Sequence, residues 1–254
     1  MNQTRDNPLI TIVIATLNSA DVLRRSIESV AAQSYRNVEL LVVDGGSVDG
    51  TLDVIRDMSD IVSTAISEPD EGIYDAWNKG LRLAHGDWIC FLGADDLLLE
   101  DAFENYIRFI RDHPDPPLLF ISSLAELVPE SGKTRVVGNA WSWPAFSRKM
   151  DIVHVGALHH RDLFTQYGVF DTRYRICGDY DLLLRARNAL PAAFIPQVTV
   201  RLAAGGVSRR DVGVFLETYR AKVESGGRLK VAARVERFLA HLKWRVRRVR
   251  EGVS

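Results

Sequence analysis

Cysteine is nearly absent from this chain: Cys90 and Cys177 are the only two in 254 residues. Two thiols in apolar or glycine-flanked settings define no disulfide framework, so a reducing, cytoplasmic setting is expected. Long hydrophobic runs are missing too. None approaches the roughly 20 residues that cross a bilayer. The stretch Met1 to Pro8 is polar and has no signal-peptide core. The body is therefore expected to be neither secreted nor integral to a membrane. Repeats and low-complexity linkers are absent, and no domain boundary shows before about residue 205. Net charge is also scarce, at −1. That figure hides an asymmetry: residues 228–250 carry nine Lys/Arg and one acid, Glu236, a net of +8, while the rest carries 23 basic and 32 acidic residues, a net of −9. With 46% hydrophobic and 26% charged residues, the composition is that of an ordinary soluble globular protein.

What is present is an alternation of strand and helix signals. Leu9 to Ala15 and Val38 to Val43 are apolar and β-branched, as buried strands are. Between them Val22, Leu23, Ile27, Val30 and Ala31 recur at helical spacing, with Ser19 placed to cap. A short helix over 52–58 and a strand over 61–67 follow. Ile73, Trp77, Leu81 and Ala84 mark a further helix, stopped by Gly86, and Trp88 to Leu92 a further strand. This order argues for a parallel sheet with both faces covered. Beyond it we expect a helix over 100–112, a strand over 118–122, a hairpin around Ser131-Gly132 and an ordered loop at Trp141 to Pro144. A strand over 151–157, helices over 160–167 and 179–189, and short strands over 193–195 and 198–202 complete the reading.

Ligands of open α/β sheets sit beyond the C-terminal ends of strands, which directs attention to the loops there. Thr16 and Asn18 follow the first strand. Asp44-Gly-Gly-Ser follows the second, with Gly46 and Ser47 allowing close backbone approach and Asp44 able to accept a hydrogen bond. Neither a phosphate-binding P-loop nor the dinucleotide glycine pattern fits it. Pro69 and Gly72 bracket a turn before the third helix. Asp95 and Asp96 end the fourth strand. Adjacent carboxylates repel unless a cation joins them, and a hard divalent ion prefers such oxygens; an N-cap pair for a helix starting near Leu98 is the other reading. Asp179, in Gly178-Asp-Tyr-Asp181, suits either a general base or a first-turn acid, with Asp181 pointing elsewhere. His154, His159 and His160 fit no zinc spacing and read as core or surface residues, with His154 able to line a site.

Taken together, TIVIATLNSADVLRRSIESVAAQSYRNVELLVVDGGSVDGT, SEPDEGIYDAWNKGL, GDWICFLGADD and GDYDLLLRA resemble the inverting family 2 glycosyltransferases, above all bacterial members that build surface polysaccharides. The resemblance covers residues 8–205. It implies a GT-A fold, a Rossmann-like, mainly parallel α/β sheet flanked by helices, as a domain over 1–205, with a helical extension over 206–254. It implies a nucleotide-sugar donor, a UDP-sugar first, and a saccharide or lipid-linked acceptor. Carried over residue by residue, Thr16, Asn18 and Asp44 would hold the base and ribose, and Asp70 would contact the nucleoside. Asn78 and Lys79 would line the donor pocket, Lys79 facing phosphate. Asp95 and Asp96 match the metal region, for Mg²⁺ or Mn²⁺, but Gly93 stands where the pattern has its first acid. Asp179 matches the catalytic base, with Gly178 in place of the usual preceding Glu. Those two departures keep open a sugar-nucleotide-binding protein without transferase activity. A sugar-phosphate nucleotidyltransferase would want a glycine-rich, Arg-containing loop after the first strand, which Thr16-Leu-Asn-Ser lacks.

In the tail, Val231, Val235, Phe238, Leu239, Leu242, Val246 and Val249 form one helical stripe, flanked by Arg234, Arg237, Lys243, Arg245, Arg247 and Arg248. That is the pattern of a helix lying in a membrane interface; packing on the body or on a second subunit is the alternative. Trp244 falls on the polar side. Nucleic acid is not an expected partner, because the body is acidic and no binding motif is present.

Overall fold

The computed structural model describes residues 7–129, 132–203 and 211–250. The first half runs β1 (Ile10–Thr16), α1 (Ala20–Ala31), β2 (Val38–Asp44), α2 (Thr51–Asp57), β3 (Thr64–Ser67), α3 (Ile73–Leu83) and β4 (Trp88–Gly93). The second runs β5 (Leu97–Leu98), α4 (Ala102–Asp112), β6 (Phe120–Val128), β7 (Arg135–Val137), α5 (Trp143–Phe146), β8 (Leu158–His160), α6 (Arg161–Tyr167), α7 (Gly178–Ala186) and β9 (Ala192–Ala203). Two helices close the described chain, α8 (Gly213–Glu224) and α9 (Lys230–Arg250).

The strands form one mixed, mainly parallel sheet in the order β3-β2-β1-β4-β8-β6-β9-β5, with β7 beside β6. The four strands β3, β2, β1 and β4 are parallel, and β8 opens a mixed half in which it runs antiparallel to β4 and β6 while β6 and β9 pair in parallel. Their register places Thr16 opposite Asp44, Asp44 opposite Ser67 and Ala15 opposite Gly93. Four sequence-distant loops are thereby gathered along one edge.

Period-two alternation sorts each strand's side chains onto two cores. Ile10, Ile12, Ile14, Leu40, Val42, Cys90 and Leu92 face α1 and α4. Val13, Leu41, Val43, Ile89 and Phe91 face α3, α6 and α7. Cys90 and Cys177 are both buried and not disulfide-bonded.

Several expected elements change. Residues 151–157 form no strand; the ladder begins at Leu158, and Gly156, with φ 77°, turns the chain against Val200. The two short strands expected over 193–202 are one, β9, whose register against β6 shifts where Ser123 and Leu124 pair with Ile195 and Val198. Pro196 has no N–H to place in that ladder. Trp143 opens a short helix, α5, and Trp141 packs against Phe146 and Phe120. The α3 helix buries Tyr74, Ala76 and Trp77 and leaves Ile73 exposed, so its inner face is rotated from the expected one. Ser19 sits at the N-cap of α1, but its hydroxyl donates to the Leu17 carbonyl rather than accepting from the helix. The hairpin flanks pair as expected, Leu127 with Arg135, while its tip at 130–131 lies outside the described residues.

One close approach governs how α3 seats on the sheet. A Cβ on Gly80 would collide with Val13 Cγ1. Gly80→Ala is expected to destabilise the fold by about 1–3 kcal/mol through overpacking, read from the urea midpoint. Val13→Ala introduced alongside should recover part of that loss, giving a nonadditive double-variant cycle; additive losses would mean that the two positions do not touch.

Candidate active site

The loop after β2 is built around one buried carboxylate. Asp44 has no exposed surface. Its Oδ2 accepts from Gly46 N at 3.1 Å, Ser47 N at 2.9 Å and Ser67 Oγ at 2.6 Å, and its Oδ1 accepts from the Ser47 hydroxyl. Burial raises its pKa, but these donors outweigh that and hold it below the usual carboxylate range. Asp44, expected to accept from base or ribose, is here occupied in folding the loop that a ligand would meet. Gly46 takes φ 88°, a left-handed conformation that glycine adopts without strain.

Thr16 and Asn18 knit the first loop to the second. Gly45 N donates to the Thr16 carbonyl at 2.9 Å. Asn18 N donates to Ser47 Oγ at 2.7 Å, and Val48 N to Asn18 Oδ1 at 2.9 Å. The buried Thr16 hydroxyl has no hydrogen-bond partner among the described residues. Asp70 closes the third loop. Its Oδ1 accepts from Gly72 N at 2.8 Å, and its other oxygen lies over Gly45, where a Cβ would collide with it.

Three side chains of α3 hold the surroundings in place. The Lys79 ammonium lies 2.7 Å from the Pro69 carbonyl, 3.0 Å from Glu68 Oε1 and 3.5 Å from Asp75 Oδ2. Its charge, expected to face phosphate, is matched within the turn before α3. Asn78, expected to line the donor pocket, clasps the backbone of Phe170 in both directions: Nδ2 donates to its carbonyl at 2.8 Å and Oδ1 accepts from its N–H at 3.0 Å. Tyr74 donates its hydroxyl to Asp179 Oδ1 at 3.1 Å.

Asp179 occupies the first turn of α7 and also accepts from Tyr180 N at 2.8 Å. Burial raises its carboxyl to about 6, against the lowering by those two donors. A carboxylate tuned to about 6 is a proton acceptor near neutrality. Gly178 is what lets Tyr74 arrive: a Cβ there would lie 2.8 Å from two atoms of the Tyr74 ring. The irregular segment before it is held by Glu217 of α8, whose carboxylate accepts from Arg175 N at 3.0 Å, Ile176 N at 2.8 Å and Cys177 N at 2.9 Å. Asp181 does point away, toward Arg185 at 3.0 Å and Ser225 Oγ at 2.6 Å. Neither Tyr74 nor Glu217 was singled out by the sequence. Tyr74 sits inside a recognised motif, but nothing marks its partner; Glu217 carries no local signal at all.

Asp95 and Asp96 form no N-cap. Leu97–Leu98 pairs with β9 instead, and the next helix begins at Ala102 with Asp101 as its cap. Asp95 is exposed and Asp96 buried, the latter tied through Oδ1 to Ala203 N at 3.1 Å. A Cβ on Gly93 would lie 2.6 Å from Asp96 Oδ2 and 3.1 Å from Asp95 Oδ1. Both carboxylates therefore turn an oxygen toward the same bare stretch of backbone. Neither has an ion-pair partner among the described residues. Burial, then the charge of Asp95, raises Asp96 to about 7. No cluster of three or more His, Cys, Asp or Glu with metal-binding placement occurs among the described residues, so an ion here would take its other ligands from substrate and water. His154 and His159 are buried under the site, His154 stacked on Trp77 with centroids 5.3 Å apart, and burial lowers its pKa to about 3. It is a neutral core residue.

Comparison with known proteins gives the family and the fold. The family described as "Glycosyl transferase family 2" matches residues 11–116. A PGL/p-HBAD biosynthesis glycosyltransferase of Mycobacterium bovis is 32% identical over 259 aligned residues, spanning 95% of this chain and 99% of that protein. Chondroitin synthase of Pasteurella multocida is 28% identical over 186 residues, 70% of this chain and 19% of that one. Among solved structures, Staphylococcus aureus TarS in complex with UDP-GlcNAc superposes with a TM-score of 0.68 at 14% identity, covering 89% of this chain and 69% of that one. The mannosyltransferase PcManGT of Pyrobaculum calidifontis, in complex with GDP-Man and Mn²⁺, gives 0.68 at 20% identity, covering 92% and 70%. At these identities the structural likeness is one of fold.

The raised carboxyl of Asp179 has a signed consequence for stability. Its folded pKa, about 6, lies above the ordinary 3.8, so the ionised form is disfavoured in the folded state. That penalty is complete above about pH 6 and vanishes below the ordinary carboxylate pKa. Asp179→Asn should therefore raise the melting temperature by a few degrees at pH 8, and the gain should disappear near pH 4. A gain that persists at pH 4, or no gain at pH 8, would contradict the assigned environment.

Proposed function

The chain belongs to glycosyl transferase family 2, and from that membership we propose that it is an inverting transferase. It moves a sugar from a nucleotide-sugar donor to a hydroxyl of a saccharide or lipid-linked saccharide in the synthesis of a cell-surface polysaccharide or glycolipid. The observation that carries this reading is Asp179: a carboxylate raised to about 6, gripped by Tyr74 and Tyr180, at the N-terminus of α7. Tyr74 stands in the first turn of α3, directly after the turn that follows β3. Asp179 is thus brought toward the same edge as the loops after β1, β2 and β4.

The donor's nucleoside is received by the first three loops. Thr16 offers its unpartnered hydroxyl, Asn18 and Asp70 offer side chains at the rim, and Gly46 and Ser47 offer a backbone cradle shaped by Asp44. Asn78 and Lys79 act one step back, holding the walls. A UDP-sugar is the first candidate donor. Asp95 and Asp96 would hold Mg²⁺ or Mn²⁺, which supplies charge neutralisation for a departing diphosphate. Asp179 takes the proton of the acceptor hydroxyl as the oxygen attacks the anomeric carbon from the face opposite the nucleotide. The C–O bond to the diphosphate breaks as the new one forms, and a single displacement inverts the centre. No enzyme nucleophile is needed. The Gly178 departure, which left a binding-only protein open, is accommodated here because that glycine admits Tyr74 to the base.

Two measurements test this. Across a panel of UDP-, GDP- and dTDP-sugars, one donor is expected to be bound and turned over. Asp179→Asn should keep donor affinity while turnover falls by roughly 10²–10⁴-fold. The acid limb of kcat/KM should lie near pH 6, and Tyr74→Phe should move it upward by removing a donor to the ionised form; full activity of Asp179→Asn would refute the base assignment. For the metal, Mn²⁺ should raise the melting temperature of the wild type above pH 7. Asp95→Ala and Asp96→Ala should each lose that shift, and an undiminished shift in both variants would place the ion elsewhere.

A further inference from the structure

The C-terminal helix pair is seated the wrong way round for a helix that merely packs on the body. The apolar residues of α9, Val231, Val235, Phe238, Leu239, Leu242 and Val246, are 46–71% exposed. The side of α9 turned inward is instead small, ionic and aromatic. Ala233 is buried, Glu236 pairs with Lys222 at 3.0 Å and with Arg228, and His241 stacks on Phe215 of α8 with centroids 5.1 Å apart. Trp244, unexplained by the helical pattern, lies 6.0 Å from the same Phe215 ring. Beside the exposed row, α8 and α9 enclose an open apolar groove of about 330 Å³ whose lining includes Phe215, Leu216 and Phe238, with Arg234 and Arg237 at its rim. Leu216 is itself 60% exposed. A row of exposed large apolar side chains beside an apolar groove marks an interaction site.

Charge selects the partner. Lys230, Arg234, Lys243 and Arg245 form no ion pair with any described residue. They flank the apolar row within a segment of net charge +8 on a body of net charge −9. Two such faces meeting each other would bring like charges together, which disfavours a second copy as occupant. An anionic bilayer satisfies both halves of the pattern, acyl chains for the apolar row and headgroups for the flanking cations. No helix of the described residues is long and apolar enough to cross a membrane, so the contact lies in the interface plane.

We propose that the outward face of α8 and α9 is a docking surface for an anionic lipid bilayer. The same α8 carries Glu217, which holds residues 175–177 immediately before Asp179. The proposal rests on the tail alone and stands independently of the transferase reading.

The test is co-sedimentation of the full chain with vesicles of phosphatidylcholine, with and without a minority of phosphatidylglycerol. Binding is expected only with the anionic lipid, and it should fall steeply as salt rises from about 0.1 to 1 M, where screening shortens from ~10 to ~3 Å. Arg234→Glu with Lys243→Glu should weaken partitioning by at least about fivefold per position. Phe238→Ser with Leu242→Ser should weaken it by at least about tenfold. These side chains are exposed, so circular dichroism and melting temperature should match the wild type. Donor hydrolysis in vesicle-free buffer should also be unchanged, which separates failure of docking from failure of the transferase assignment. The proposal is overturned if the wild type stays in the supernatant with anionic vesicles, or if both paired variants bind like the wild type. A dimer in light scattering that Phe238→Ser with Leu242→Ser dissolves would overturn it in favour of self-association.

Discussion

The contact on which the site depends is the two-way clasp between Asn78 and the backbone of Phe170. Residues 168–177 have no ladder and no helix of their own, yet they deliver Asp179. Backbone polar groups in such a segment must find partners elsewhere. Asn78 supplies one pair from α3, and Glu217 supplies three acceptor contacts from α8. With Lys79 gripping the turn before α3 and Tyr74 gripping Asp179, one helix ties the turn after β3 to the first turn of α7. That helix is itself registered to the sheet by the bare approach of Gly80 to Val13. Much of that segment is thus a bracket for its neighbours in space.

The acids of the site divide into two physical kinds. Asp44 is buried and fully bonded, its pKa lowered, its charge used to fold a glycine loop. Asp179 and Asp96 are kept short of compensating charge, and burial pushes both upward, to about 6 and about 7. A group held that way costs folding stability and gains proton or cation affinity, the usual exchange at functional sites. The distinction is set by donors: among the described residues four reach Asp44, two of them hydroxyls, two reach Asp179, and Asp96 is reached by backbone N–H groups alone, that of Ala203 on the neighbouring β9 among them.

The parallel half of the fold was legible because its strands are long, β-branched runs separated by helices of clear period. Legibility failed where local pattern and tertiary context part. Residues 151–157 are apolar enough for a strand, but Gly156 turns the chain away and the ladder starts at Leu158. Ile73 fits the helical stripe of α3, yet Tyr74 is the residue turned inward, because its hydroxyl has Asp179 to reach. From the sequence Asp95-Asp96 suits a helix cap equally well, but Leu97–Leu98 pairs with Arg201 and Val200 of β9, partners that local pattern does not reveal.

By itself the sequence determined the family, the order of strands and helices in its first half, and the loops in which chemistry had to lie. Periodicity and turn residues are local, and they carry that information. Only the tertiary structure decided what those residues touch. It joins Asp44 and Lys79 to groups of their own loops, Asn78 to Phe170, Tyr74 to Asp179 and Glu217 to residues 175–177, and it turns the apolar stripe of α9 outward. Several of those contacts, Asn78 with Phe170 and Tyr74 with Asp179 among them, join residues far apart in the chain, and a long-range partner leaves no period or spacing by which to read it.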